Sequence, residues 1–457
     1  MVPRIVIVGA GPAGVRCAEA LVAAGLRPTV IDENRRDGGQ IYRRQPENFT
    51  RSYATLYGTE AHRAAALHGT FDRLRDRIEY LPETLVWNVA DRHVYVASGT
   101  RQRTIPFDML ALCTGAADRL MPLKGWNFAG AYSLGGAQVA LKSQACAIGR
   151  QIVFAGTGAL LYLVAAQYVK AGANVAAVLD TSPRSRRLAA LGKLLAQPSV
   201  LYKGVALELT LRRAGVHIHT GVELHEILGS ADAGVRGLSF REASGKQRQI
   251  ECDAVGLGYH LRPETQLADL ARCEFRFDAS SRQWLPKLDP DGRTSVRGVY
   301  VAGDGARVLG ANAAEASGKL AALAVLRDLG FATAWESFAE QRRALKKFER
   351  FAQGLAEAFP WPAQQAAQLP DDAVVCRCES VTAGQLRGVI EKTGACEANR
   401  AKAFSRVGMG RCQGRYCGHA AAEIIAHAAA VPIEEAGRLR GQAPVKPLPI
   451  ALTEDEQ

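Results

Sequence analysis

The sequence predicts an α/β chain made of two dinucleotide-binding (Rossmann-like) domains, followed by a small, mainly helical C-terminal domain. Three observations carry that expectation. A strand, glycine-loop, helix pattern opens at Ile5 and recurs at Gln151. A proline-rich break lies within residues 355–372, and five of the ten cysteines fall beyond residue 375. At 457 residues the chain exceeds the ~250–300 at which single cores stop growing. The expected division is 1–120 with 285–354 as a first, discontinuous nucleotide domain, 121–284 as a second one, 355–372 as a linker, 373–435 as the cysteine-rich domain and 436–457 as an extended tail.

In the first domain, Ile5-Val-Ile-Val8 feeds Gly9-Ala-Gly11-Pro12-Ala13-Gly14, and Ala18, Leu21 and Val22 then share a helical face that ends at Gly25. Gly9 permits a tight turn, Gly11 lets a pyrophosphate approach the backbone, and Gly14 lets the helix close on the strand, so the helix amino end faces phosphate. Pro28 to Ile31 forms the next strand. Asp32 closes it, with Glu33 beside it, where a carboxylate can accept hydrogen bonds from a ribose diol.

Two distant segments point to FAD. Val299-Tyr-Val-Ala-Gly303-Asp304 is a short apolar strand ending in Gly-Asp, followed by Gly310-Ala311-Asn312 and a helix through Ala322. It resembles the Gly-Asp motif of the two-domain flavoprotein reductases, in which the aspartate meets the ribitol and phosphate and the next helix aims its amino end at the flavin, where it stabilises negative charge. Thr104 to Gly115, ending Leu112-Cys-Thr114-Gly115, looks like that family's second strand-turn motif. Asp37-Gly38-Gly39-Gln40-Ile41-Tyr42 is similar to a Gly-Gly-Gln loop that lies beside the flavin in related enzymes. Motif and resemblance together make Gly9, Gly11, Pro12, Ala13, Gly14, Asp32, Glu33, Gly39, Gln40, Thr114, Gly115, Gly303, Asp304 and Ala311 the expected FAD contacts.

The second copy, Ile152-Val-Phe-Ala-Gly156-Thr-Gly158-Ala-Leu-Leu161, is incomplete. Leu161 replaces the third glycine, Leu179 stands at the spacing of Asp32, and Asp180 falls one residue late. A second nucleotide, NAD(P) or ATP, is disfavoured, although Arg184, Arg186 and Arg187 could meet a 2'-phosphate. No CxxC occurs in the chain, which argues against disulfide reduction.

Cys17, Cys113, Cys146, Cys252 and Cys273 sit among apolar neighbours and are expected to be buried thiols. At the C-terminal end, Cys376-Arg-Cys378 is followed, after 33 intervening residues, by Cys412-Gln-Gly-Arg-Tyr-Cys417, with a helical pattern from Thr382 to Glu391 between them. Two chelating thiolate pairs suit either zinc or an iron–sulfur cluster. The pattern resembles the bacterioferritin-associated-ferredoxin-like domain, which implies a 2Fe-2S cluster on Cys376, Cys378, Cys412 and Cys417, though this chain has Cx4C where that family often has CxxC. Arg377, Arg406, Arg411 and Arg415 would offset the cluster's charge, and Cys396 is expected in the core.

A net charge of +12 with Lys and Arg spread along the chain, and no nucleic-acid motif, gives no ground for nucleic-acid binding. The N-terminus runs straight into a strand, and no apolar stretch approaches a membrane span, so a cytoplasmic protein is expected. The motifs together, with Gly408-Met-Gly-Arg-Cys-Gln-Gly-Arg-Tyr-Cys-Gly418, resemble the large subunit of heteromeric flavin-dependent amino-acid dehydrogenases: opine oxidases, D-hydroxyproline dehydrogenase and hydrogen cyanide synthase. That resemblance implies an FAD and 2Fe-2S electron-transfer subunit of an enzyme that oxidises CH-NH or CH-NH2 donors. Its amine-oxidising site would lie in a D-amino-acid-oxidase-like flavoprotein partner. Further partners would be a quinone or other respiratory acceptor and a small ferredoxin-like subunit. Consistent with this, His62, His68, His217, His219 and His260 lie in unconnected contexts and no catalytic residue is identified. A self-sufficient NAD(P)H-dependent reductase and a zinc-stabilised, non-catalytic scaffold are compatible with parts of the same pattern.

Overall fold

Strand Ile5–Val8 is buried along its whole length and pairs in parallel with Thr29–Ile31 on one side and Met109–Leu112 on the other. Continuous Val, Ile and Leu runs of this kind suit a parallel sheet covered on both faces. A computed structural model, which describes residues 2–45, 51–451 and 453–454, extends this trio to a five-stranded parallel sheet with Val299–Val301 and Glu79–Leu81 at its edges. An antiparallel meander, Leu85–Ala90, His93–Ser98 and Arg101–Pro106, follows. The second half repeats the plan. His217–Thr220, Val175–Asp180, Ile152–Thr157, Ala254–Tyr259 and Ala131–Ser133 form a parallel sheet, and Glu223–Ser230, Gly234–Arg241 and Gln247–Glu251 form the meander. Ala116–Asp118 and Leu261–Pro263 pair between the halves.

The C-terminal unit is mainly helical: Ala383–Thr393, Ala398–Ser405 and Gly418–Ala428 enclose a core with Leu386, Ile390, Ile424 and Ile425. Thr382 and Gln385 form a reciprocal capping box that fixes where the first of these starts.

Several expectations are corrected. The 355–372 segment is not an exposed linker. Helix Trp335–Ala358 runs into it, Phe359, Trp361 and Leu369 are buried, and Trp361 packs in the core of the second nucleotide unit. Proline there breaks the helix while the aromatic residues hold the break down. The tail lies on its own chain. Val445 is buried, with its N–H on Trp87 O, and Thr453–Glu454 adds a parallel strand to Arg101–Pro106; the acidic residues at 455–456 lie outside the described residues. Cys146 and Cys396 are exposed, because each sits in a connection after a helix rather than on its inner face. Among the described residues no helix is long and apolar enough to cross a membrane.

Candidate functional site

The first glycine loop is built by close approach. A Cβ on Gly9 would lie 2.3 Å from Cys113 O, and one on Gly14 would lie 1.8 Å from Gly9 O, so neither position accepts a side chain. Gly9 also holds φ +106°, which glycine alone adopts without strain. Helix Pro12–Ala23 starts with Pro12 in its first turn and has no side-chain cap at Gly11, leaving its first N–H groups for an anion. Asp32 is buried. One carboxylate oxygen accepts Ala10 N at 2.6 Å and the other accepts Asn34 N at 2.7 Å, so Asp32 pins the loop from below. Burial raises its pKa. Glu33 is exposed and ion-paired with Lys446 of the tail.

The other expected residues gather around this loop. Gly39 stands against it, since its Cβ would lie 3.1 Å from Gly11 Cα, and exposed Gln40 is held by Arg43 at 2.8 Å. A Cβ on Gly303 would meet Ala13 Cβ at 2.7 Å, and one on Gly318 would meet Ala13 O at 2.0 Å, so helices Pro12–Ala23 and Ala311–Asp328 pack at backbone contact. The half-buried Asp304 carboxylate accepts Leu309 N and Gly310 N at 2.9 and 3.0 Å and shapes the uncapped start of the second helix at Ala311. Beside it, Asn312 Oδ1 is buried without a partner. Thr114 and Gly115 join through Gly305, whose Cβ would lie 2.8 Å from Thr114 Oγ1. Two free helix amino ends, a glycine-lined floor and an orphaned amide oxygen fit FAD.

At the second loop the outcome is different. A β-bulge between Ile152 and Val153 absorbs the extra residue and pairs Gly156 with Asp180, so Asp180 is in register, contrary to the spacing-based expectation. It is nevertheless spent. Its carboxylate accepts Thr157 Oγ1 at 2.8 Å, Tyr162 OH at 2.7 Å, Ser182 N at 2.9 Å and Arg187 Nη2 at 2.5 Å. Arg187 also stacks between the Tyr162 and Phe359 rings, at 4.9 and 5.0 Å. The His260 ring packs on Gly158, 2.9 Å from where a Cβ would stand, and His260 Nε2 donates to Phe359 O at 2.5 Å. Arg184 turns to Glu208 and Arg186 is exposed. These residues do not fit a second nucleotide.

The four cysteines of the C-terminal unit converge. Cys376 and Cys417 are buried, Cys412 is partly buried and Cys378 faces solvent. Contact with Cys417 holds the Cys376 and Cys412 thiols below the usual thiol range, and those same contacts push Cys417 up. Cys412 in turn touches Cys378. The four sulfurs thus lie together as one group. Among the described residues no three His, Cys, Asp or Glu side chains enclose a single-cation position. Two chelating pairs of thiolates, an all-sulfur donor set, fit a 2Fe-2S cluster. Gly410 is required here, as its Cβ would lie 2.2 Å from Cys378 Cβ.

The pyridine nucleotide-disulphide oxidoreductase family matches residues 3–319, and the BFD-like [2Fe-2S] binding domain matches residues 374–427. The A subunit of opine oxidase from Rhizobium meliloti is 38% identical over 98% of this chain and 86% of its own length. The chain belongs to the family of opine oxidase A subunits. Hydrogen cyanide synthase subunit HcnB of Pseudomonas protegens is 28% identical over 98% of this chain and 96% of its own. The fold of L-proline dehydrogenase from P. horikoshii superposes with a TM-score of 0.72 at 19% identity, covering 98% of this chain and 79% of that one. This member of the family is therefore an oxidoreductase flavoprotein that binds FAD and a 2Fe-2S cluster.

Contacts between distant segments add residues that the motifs did not single out. Glu264 accepts Arg415 of the cysteine loop at 2.8 Å and Arg262 at 3.0 Å, while its backbone accepts Thr114 Oγ1 at 2.6 Å and donates to Gly115 O at 2.9 Å. Buried Lys402 faces Cys417 and Asp269. Of the expected arginines, Arg415 is thus committed to Glu264, Arg406 pairs with Glu379 at 2.8 Å, Arg377 stacks on Trp126 and Arg411 is exposed. No local signal marks Glu264 or Lys402, since both roles arise from contacts distant in sequence.

Proposed function

We propose that this chain is the electron-transfer subunit of a heteromeric amino-acid or imino-acid dehydrogenase of the opine, D-hydroxyproline or glycine class, and that its amine-oxidising site lies in a D-amino-acid-oxidase-like partner. One observation carries the proposal: Glu264 joins the Thr114–Gly115 turn of the FAD cradle to Arg415 of the cysteine loop. FAD exchanges electrons in pairs or singly and a 2Fe-2S cluster exchanges them singly, so the two together turn hydride chemistry into a one-electron current.

The chain's own residues bind and position. The uncapped amino end of Pro12–Ala23 receives pyrophosphate, Asp32 fixes the loop, and the amino end of Ala311–Asp328 favours negative charge on the flavin side. Cys376, Cys378, Cys412 and Cys417 hold the cluster, and Arg415 fixes the loop that carries two of them. Exposed Cys378 leaves one edge of that site open to an electron partner. The opine oxidase and HcnB relatives are both named as subunits, which supports a heteromeric assembly. The filled second loop argues against an NAD(P)H-driven reductase.

The test is to purify the chain with and without co-purifying subunits and to assay dye reduction with opines, D-hydroxyproline and glycine. Turnover is expected from the assembly with one substrate class and from the isolated chain with none. Turnover by the isolated chain would sink the division of labour.

A further inference from the structure

The tail crosses the cysteine loop at one side chain. Leu439 packs on the core of the C-terminal unit, and its Cδ1 fills the space that three glycines of that loop leave open. A Cβ on Gly408 would lie 2.5 Å from Leu439 Cδ1, one on Gly414 3.0 Å and one on Gly418 3.6 Å. Gly408 and Gly414 hold φ of +78° and +76°, a backbone state that favours glycine. Both turns present an N–H to sulfur, Gly408 donating to Cys376 and Gly414 to Cys412. One leucine thus closes over two turns that each serve a cluster ligand.

Leu439 is held from both sides. Asn399, in the first turn of helix Ala398–Ser405, donates through Nδ2 to Arg438 O at 3.0 Å and accepts Arg440 N on Oδ1 at 2.9 Å, which fixes the backbone before and after the leucine. Asp269 anchors the same segment from the flavin half. It lies on the short helix Gln266–Leu270, whose Leu267 and Ala268 pack against the first parallel sheet. Its two carboxylate oxygens each accept the Arg438 guanidinium at 2.8 Å, and one of them also accepts Gly441 N at 2.8 Å. Arg438 stacks on the Phe275 ring at 3.9 Å and Asp269 is buried, so the pair is weakly screened.

We infer that Leu439 is a positioning residue for the 2Fe-2S cluster: strapped down by Asn399 and Asp269, it keeps the Gly408 and Gly414 N–H groups on the ligand sulfurs and so helps set the cluster's reduction potential. Reduction adds negative charge to the sulfurs, so a hydrogen bond to them stabilises the reduced cluster more than the oxidised one. At all three glycines the atom nearest the Cβ position is Leu439 Cδ1, so a shorter side chain would leave both turns unsupported there. Because the strap is anchored on Asp269, the potential also depends on how the flavin half holds the tail. The inference requires the cluster, but it holds whichever subunit oxidises the amine.

The test uses the full chain with its co-purifying subunits, reduced stepwise with dithionite while electron paramagnetic resonance follows the cluster. Leu439→Ala is expected to shift the cluster's reduction equilibrium about 10-fold towards the oxidised form, about 59 mV lower. It should also shrink the deuterium shift of the iron–sulfur stretching bands in resonance Raman spectra and release iron to a chelator ~10-fold faster. Flavin absorbance should not change. Leu439→Met, which refills the slot with a flexible side chain, should restore all three readouts. Asp269→Asn weakens the anchor from outside the cluster unit and should lower the potential by a smaller step; it decides the matter if Leu439→Ala retains no cluster. Wild-type potential and deuterium shift in cluster-loaded Leu439→Ala overturn the inference, even with faster iron release, which alone marks a packing role. Failure of Leu439→Met to restore the potential overturns it too, as does a wild-type potential in Asp269→Asn.

Discussion

The strand, loop and helix that begin at Ile5 and those that begin at Ile152 are built from the same parts and end in opposite states. Both loops turn through glycines at positive φ, both helices lack a side-chain cap, and in both sheets an aspartate stands at the end of the neighbouring strand, level with the first glycine. At the first, Asp32 spends its oxygens on backbone beneath the loop and leaves the helix end free. At the second, four donors saturate Asp180, and Phe359, Arg187 and His260 stand over the loop. The difference teaches that a nucleotide fold can be retained as a scaffold. Trp361 binds the second unit to the C-terminal domain, for its Nε1 donates to Glu423 at 3.1 Å and Arg119 stacks on its ring at 4.0 Å.

The sharpest way to break that comparison is at the third glycine position. Gly14→Val places carbon where Gly9 O already stands, so the ratio of flavin to protein absorbance is expected to fall at least ~10-fold, since no small shift relieves such an overlap. The reciprocal change, Leu161→Gly, removes a fully buried side chain and should cost about 3–5 kcal/mol in chemical denaturation, with no nucleotide gained in calorimetric titration. Binding of NAD(P)H or ATP to Leu161→Gly would show that glycine loss alone closed the second site.

Next in size is the contrast between the aspartates. Asp180→Ala leaves Arg187 without its buried partner and should lower stability by about 3 kcal/mol while flavin content holds. Asp32→Ala should do the reverse, weakening FAD about 10-fold or more by freeing the loop, with a loss near 1 kcal/mol in the apoprotein. Equal flavin loss from both changes would make the aspartates equivalent and dissolve the contrast.

How much of this could be read beforehand depended on how local the cause was. Gly9, Gly14 and Gly303 were legible because backbone contact tolerates nothing larger, and the opine oxidase likeness followed from such fixed points. Leu161 announced a damaged copy, yet the bulge that restores Asp180 to register lies four residues before Gly156 and has no residue signature. Phe359 was legible only as a helix break, because its partners Arg187 and His260 lie 172 and 99 residues away along the chain. The cysteine pairs stood out by spacing, whereas the link from Arg415 to the flavin cradle spans 151 residues to Glu264.

The smallest expected effect tests that link. Burial alone would raise the Glu264 carboxyl, but the charges of Arg262 and Arg415 outweigh it and bring it down to about 2. A carboxyl depressed in the folded state stabilises above its unfolded value near 4.3, and the contribution is lost as pH falls from there towards about 2. Glu264→Gln should therefore lower stability by about 2 kcal/mol at neutral pH, with the gap from wild type narrowing below about pH 4.5. Denaturation midpoints of both proteins across that range measure it. Because Glu264 also holds Thr114 and Gly115 through its backbone, which the substitution spares, flavin content should not change while the rate of electron passage to the cluster falls. A pH-independent gap would mean that Glu264 acts by packing alone, and the cradle and the cysteine loop would then be joined by shape rather than by charge.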